Sequence, residues 1–118
     1  MKHKIQGRKF GRPRRQRIAL MRTLLGSLIM KERITTTEAK AKEVKNVIDG
    51  IVNKAKKAQS TFEIVRKLEG KVPQMAIKKL SDDEFREKFD GRDSGYTRVV
   101  KTFARKSDRA AMAIIEFV

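Results

Sequence analysis

Six carboxylates crowd a short stretch near the C-terminal third of the chain: Asp82, Asp83, Glu84, Glu87, Asp90 and Asp93. Carboxylates at this density are what a two-metal site for phosphodiester hydrolysis would need. A simpler explanation covers them, because Ser81-Asp82-Asp83-Glu84 has the spacing of a capping box and acids are favoured at the positive end of a helix. Other catalytic ingredients are scarce. The single histidine, His3, lies in a basic, glycine-containing opening segment, and there is no cysteine, so triads, disulfides and thiolate or imidazole metal sites have no residues to draw on. No glycine-rich turn leads into a Lys-Ser/Thr pair of the phosphate-loop type. The expectation is a protein without enzymatic activity, cofactor or metal.

The chemistry that remains is cationic. Lys2, Lys4, Arg8, Lys9, Arg12, Arg14, Arg15, Arg17, Arg22 and Lys31 precede Glu32 with no acid among them. The whole chain of 118 residues carries 30 bases against 14 acids, a net charge of +16, so most of the excess sits at one end. Such a gradient calls for a polyanionic partner. Arginines at 8, 12, 14 and 15 suit bidentate phosphate contacts, and Gly7 and Gly11 let backbone approach a sugar-phosphate surface. Charge alone does not choose the polyanion. A membrane is disfavoured because no amphipathic end segment carries Trp or Phe, and no apolar run approaches the roughly 20 residues that span a bilayer. The opening residues have no apolar stretch of the secretory kind, which leads to the expectation of a cytoplasmic protein. Duplex DNA remains open, but no recognition-helix unit is apparent, and the glycine-spaced arm suits folded RNA at least as well. Phe10 and Tyr96 are candidates for stacking on unpaired bases, although each residue type more often packs in a core.

These residues need elements to hold them. Met1 to Arg12 has too few apolar groups to offset its ordering entropy, which predicts an extended arm, disordered when free. Pro13 suits the first turn of a helix, and Ile18, Met21, Leu24 or Leu25, Leu28 and Ile29 follow at helical spacing. Glu32 to Thr37 reads as a short strand. A second helix starts near Thr36 or Thr37, with Ala41, Val44, Val47 or Ile48, Ile51, Val52 and Ala55 as its apolar stripe. Capping boxes at Ser60–Glu63 and Ser81–Glu84 predict short helices over 61–69 and 82–89, and Pro73 opens another through Leu80. Tyr96 to Phe103 and Ala111 to Val118 are β-rich runs separated by a polar connection, hence a C-terminal hairpin with the strand near Arg33 as a third member. The predicted fold class is α/β of the α+β type. It is a two-layer single domain over 13–118, several helices against a small sheet, preceded by the basic extension 1–12.

Met1-Lys2-His3-Lys4, Gly7-Arg8-Lys9-Phe10-Gly11-Arg12, Arg17 to Leu24 and Ser27-Leu28-Ile29 resemble the opening of the bacterial large-subunit ribosomal protein family numbered seventeen. Glu32 to Thr37, Ala39 to Glu43, Gly95 to Lys101 and Met112 to Glu116 continue the resemblance in the same order over nearly the whole chain. The resemblance implies a structural role in the cytoplasmic ribosome. It implies an α/β domain with a basic extension bound to large-subunit ribosomal RNA, beside other large-subunit proteins near the polypeptide exit, with no small-molecule substrate. Carried onto this chain, the RNA contacts are Lys2, His3, Lys4, Arg8, Lys9 and Arg12 of the arm, then Arg17 and Arg22 of the first helix. Tyr96, Thr97, Arg98 and Lys101 form a second surface at the start of the hairpin. Where the family often has a hydroxyl-rich turn followed by His, this chain reads Pro13-Arg14-Arg15-Gln16, so Arg14 and Arg15 are added as phosphate contacts. The segment from about Gly70 to Asp93 matches weakly and is expected to face solvent or a protein neighbour. The alternative function is a DNA-compacting architectural protein.

Overall fold

A computed structural model describes residues 8–118. The elements run α1 (Arg14–Lys31), β1 (Arg33–Thr37), α2 (Glu38–Lys57), α3 (Thr61–Leu68), α4 (Gln74–Leu80), α5 (Asp83–Glu87), β2 (Thr97–Lys101) and β3 (Met112–Phe117). The α+β class and the three-stranded sheet are as the sequence predicts. The sheet has the order β1-β3-β2, antiparallel throughout, so the last strand lies between the first strand and its own hairpin partner.

Alternation along the strands sorts the two sheet faces. Ile34, Ile115 and Val99 align in one row facing the helices, and Ala113 and Ile115 are fully buried. On the opposite face the row Arg33, Glu116 and Arg98 places one carboxylate between two guanidiniums, each paired with it. α2 packs across β2 and β3 with Ala41, Val44, Ile48, Ile51, Val52 and Ala55 buried, while Val47 is turned outward. Thr37 caps α2 by accepting from the Lys40 amide. The helix continues through Gly50 because the surrounding apolar stripe outweighs a propensity cost of about 1 kcal/mol.

α1 departs from its expected amphipathicity. Only its C-terminal half enters the core, through Leu25, Leu28 and Ile29, whereas Ile18 is 52% exposed. The front half presents Arg14, Arg15 and Arg22 to solvent, while its Met21 packs against the core. At the far end Glu32 takes a left-handed conformation as C-cap, its amide donating to the Leu28 carbonyl. α1 meets α4 where Gly26 faces the Pro73 ring, close enough that a Cβ would come within 2.7 Å of its Cγ and Cδ.

The acidic segment is anchored by its aromatics. Phe85 and Phe89 are buried and contact one another edge-on at 5.2 Å, and Phe89 meets Tyr96 at 5.4 Å and Phe117 at 5.1 Å. Its acidic side chains meanwhile stay on the surface. The Ser60 box forms with a shift, since Ser60 accepts from the Glu63 amide but the Glu63 carboxylate accepts from Gln59. The Ser81 box does not form. Ser81 ends α4, its hydroxyl donating to the Ile77 carbonyl, and Asp82 caps α5 instead by accepting from Glu84.

Candidate nucleic-acid interface

The interface begins where the chain has no acids. Arg14 and Arg15 occupy the first turn of α1, which has Pro13 in the N-cap position, no side-chain cap and no acidic residue. A helix N-terminus is already partly positive, so these arginines deepen an uncompensated field. Arg22 is exposed one helical face further on, and Arg17 is half-buried with its Nε unpartnered. Just before α1, Arg12 donates from its amide to the Lys9 carbonyl and from its guanidinium to that of Phe10. Gly11 takes φ +62, a conformation glycine adopts without cost. The Arg8 guanidinium donates to the Ala39 carbonyl at 2.7 Å, tethering this turn to the start of α2. Phe10 is half-buried and Lys9 exposed. Lys2, His3 and Lys4, named from the sequence, lie outside the described residues.

Ion pairing divides the surface. Among the described residues Arg14, Arg15, Arg17 and Arg22 join no salt bridge, whereas Arg33, Lys79, Lys88, Arg98, Lys101 and Arg105 each meet a carboxylate within 4.0 Å. Lysines of α2 extend the unpaired side, with Lys45 exposed beside Arg8. Below α1, Lys54 is held under the ordinary lysine value, chiefly by the Lys71 amine beside it, with desolvation and the Lys67 charge adding.

On the hairpin side the structure corrects the sequence reading. Tyr96 is 1% exposed and Thr97 is buried, so neither presents a side chain to a partner. The physical reason is the sheet-to-helix packing: the Tyr96 ring lies against Phe89 while its hydroxyl sits among Asn53, Lys56 and the Arg92 carbonyl. Arg98 and Lys101 do reach solvent, Arg98 donating to Glu116 at 2.8 Å. That contact, then the charges of Arg98 and Arg33, lowers the Glu116 carboxyl below the usual glutamate value. Beyond them the hairpin connection carries Phe103, 97% exposed, with Arg105, Lys106 and Arg109. Arg105 and the Ala110 amide pull Asp108 down to about 2 and set the turn. Phe103 escaped the sequence reading because it was counted as the end of a strand. An aromatic followed by the bases Arg105, Lys106 and Arg109 in a polar connection was the signal available.

The acidic cluster does not assemble a site. Asp82 caps α5, Asp83 pairs with Arg86, and among the described residues no three ligand-type side chains converge to hold a metal ion. Among those residues no helix is long and apolar enough to cross a membrane.

Fold and surface together define a small α+β protein whose first helix carries arginines with no carboxylate partner among the described residues, a class suited to holding a polyanion. Similarity to known proteins narrows this class. Residues 20–118 match the model of the family described as ribosomal protein L17. The chain is 44% identical to the large ribosomal subunit protein bL17 of Thermodesulfovibrio yellowstonii, over all of this chain and 87% of that one. It is 44% identical to bL17 of Acholeplasma laidlawii over 87% of this chain and 90% of that one, and 41% identical to bL17 of Staphylococcus carnosus over 94% and 98%. The chain belongs to the ribosomal protein L17 family, a structural and non-enzymatic component of the large ribosomal subunit.

Proposed function

We propose that this chain, as a constituent of the large subunit of the cytoplasmic ribosome, clamps large-subunit ribosomal RNA between two cationic regions. The first comprises the arm, residues 1–12, with Lys2, His3, Lys4, Arg8, Lys9 and Arg12, continued by Arg14, Arg15, Arg17 and Arg22 of α1. The second is the hairpin, where Arg98 and Lys101 flank the loop that bears Phe103. The observation that carries this reading is the absence, among the described residues, of any carboxylate partner for the α1 arginines, whereas nine cations from β1 onward meet one. Phosphates are the counter-ions such a surface lacks, and their release of condensed cations offsets the ordering of the arm. The globular part, 13–118, docks first and the arm follows. Neighbouring large-subunit proteins near the polypeptide exit meet the surface of α3 and α4, where Phe62, Val65 and Met75 are exposed.

The test is the salt dependence of binding to large-subunit RNA by the full chain and by residues 13–118. Removing the arm takes away five bases. Each lost phosphate contact lowers the slope of log K against log salt by about 0.7–0.9, so the truncated chain should bind more weakly with a slope shallower by up to roughly 4. An unchanged slope would remove the arm from the interface. Equal affinity for duplex DNA would favour an architectural DNA-binding role.

A further inference from the structure

A groove runs between the front half of α1 and α2, enclosing a cavity of about 340 Å³. Its floor is apolar, made by Ile18, Met21, Leu25, Val47 and Ile51. Its rim carries Arg8, Arg14, Arg17, Arg22 and Lys71 beside Gly70, with no carboxylate among the described lining residues. The residues before Arg8 contain no acid either.

Each part of this site is out of place for a free surface. Ile18 and Val47 lie beside the buried apolar residues of their helices, yet both face the groove, 52% and 37% exposed. Arg17 enters the same groove with its Nε removed from solvent and given no acceptor among the described residues, an unfavourable state that an arriving acceptor relieves. At the lower mouth Lys71 crowds Lys54 and Lys67 without an intervening carboxylate at Lys54. A ligand that suits all of this has a flat, largely apolar body with hydrogen-bond acceptors on its edge and phosphates on either side. An unstacked nucleobase meets the description: its face packs on aliphatic or guanidinium surface, its edge accepts from Arg, and its flanking phosphates meet the rim.

We propose that the α1–α2 groove is a receptor for a single unpaired RNA base, with Arg17 donating to the base edge and the rim cations holding the adjacent phosphates. The proposal rests on the RNA-binding reading above and adds to it a preference for strand irregularity that phosphate attraction alone does not supply. A cavity at the lower end of the range for small-ligand pockets has room for a base.

The experiment compares binding of the full chain to two RNA hairpins at one salt concentration, identical except that one carries a single-nucleotide bulge. The bulged hairpin should bind roughly five- to tenfold more tightly, the contribution of one partly buried base. Val47→Trp, which fills the groove without changing charge, should bring the bulged hairpin down to the affinity of the paired one. Ile18→Gln, at a half-exposed position that folding tolerates, should reduce the preference in the same direction. Equal affinity of the unaltered chain for both hairpins would overturn the proposal and leave the groove to an apolar side chain of a protein neighbour or to the chain's own first residues. Failure to bind either hairpin would overturn the RNA-binding reading itself.

Discussion

Tyr96 shows how much a single burial decides. From the sequence it is an aromatic open to stacking on RNA, but in the fold its amide donates to the Asp49 carboxylate and its hydroxyl accepts from the Lys56 ammonium at 3.1 Å. Tyr96→Phe should therefore destabilise the protein by about 1–3 kcal/mol, since Asn53 and Lys56 lose a partner inside the fold, while RNA affinity stays unchanged. Urea unfolding and a binding titration on the same variant check both halves. Gly26 makes a second point at this scale. In a helix, glycine to alanine ordinarily gains up to about 1 kcal/mol, yet here the new Cβ would stand 2.7 Å from the Pro73 ring, which has little freedom to move. Overpacking of this kind costs about 1–3 kcal/mol, so Gly26→Ala should lower the thermal midpoint, and a rise would show that α1 and α4 can part cheaply. Neither role is visible in sequence, because both depend on residues forty or more positions away.

Elements with strong local signals were readable and those held by distant contacts were not. Thr37 before α2, Pro73 before α4 and the β-rich runs around the hairpin announce their elements through capping hydroxyls, a fixed φ and alternation. The Ser81 box misled because Ser81 and Asp82 both offer an oxygen within one turn, and the C-terminus of α4 takes the first, leaving the second for α5. The direction of α1's front half also went unread, since Ile18 has the right spacing to be core and only the placement of α2 exposes it. Between elements, carboxylates act as ties. Glu32 at the end of α1 accepts from Lys88 at 2.7 Å and Lys79 at 3.3 Å, and Glu116 joins the three strands through Arg98 and Arg33. Both sit below the ordinary glutamate value, Glu32 chiefly through Lys88 and Glu116 chiefly through Arg98. Carboxyls depressed in the folded state stabilise it above their unfolded value and lose that contribution as pH falls through the folded one. The thermal midpoint should thus be level from neutral pH to about 4.5 and fall below it. Because the pairs are partly exposed, added salt should flatten that fall. A midpoint rising on acidification would contradict the assigned pairings.

At the scale of the whole molecule the governing feature is a separation of charge by function. Nine of the 20 cations from β1 onward have carboxylate partners that tie the fold together, while none of the described cations from Arg8 to the end of α1 has one. The sequence displayed this split openly, since a run without acids cannot pair with itself and must reach across the fold or out of it. What it could not display was the surface on which the cations lie, including the groove under α1 and the exposed Phe103 of the hairpin loop. The central claim is that the α1 arginines hold the protein in the large subunit. It is tested most directly by fractionating cell lysates on a sucrose gradient after a raised-salt wash. One lysate contains the unaltered chain and the other a variant with Arg14, Arg15 and Arg22 changed to Gln. The unaltered chain should remain in the large-subunit fraction and the variant should wash out at lower salt; retention of both to the same salt concentration would contradict the account.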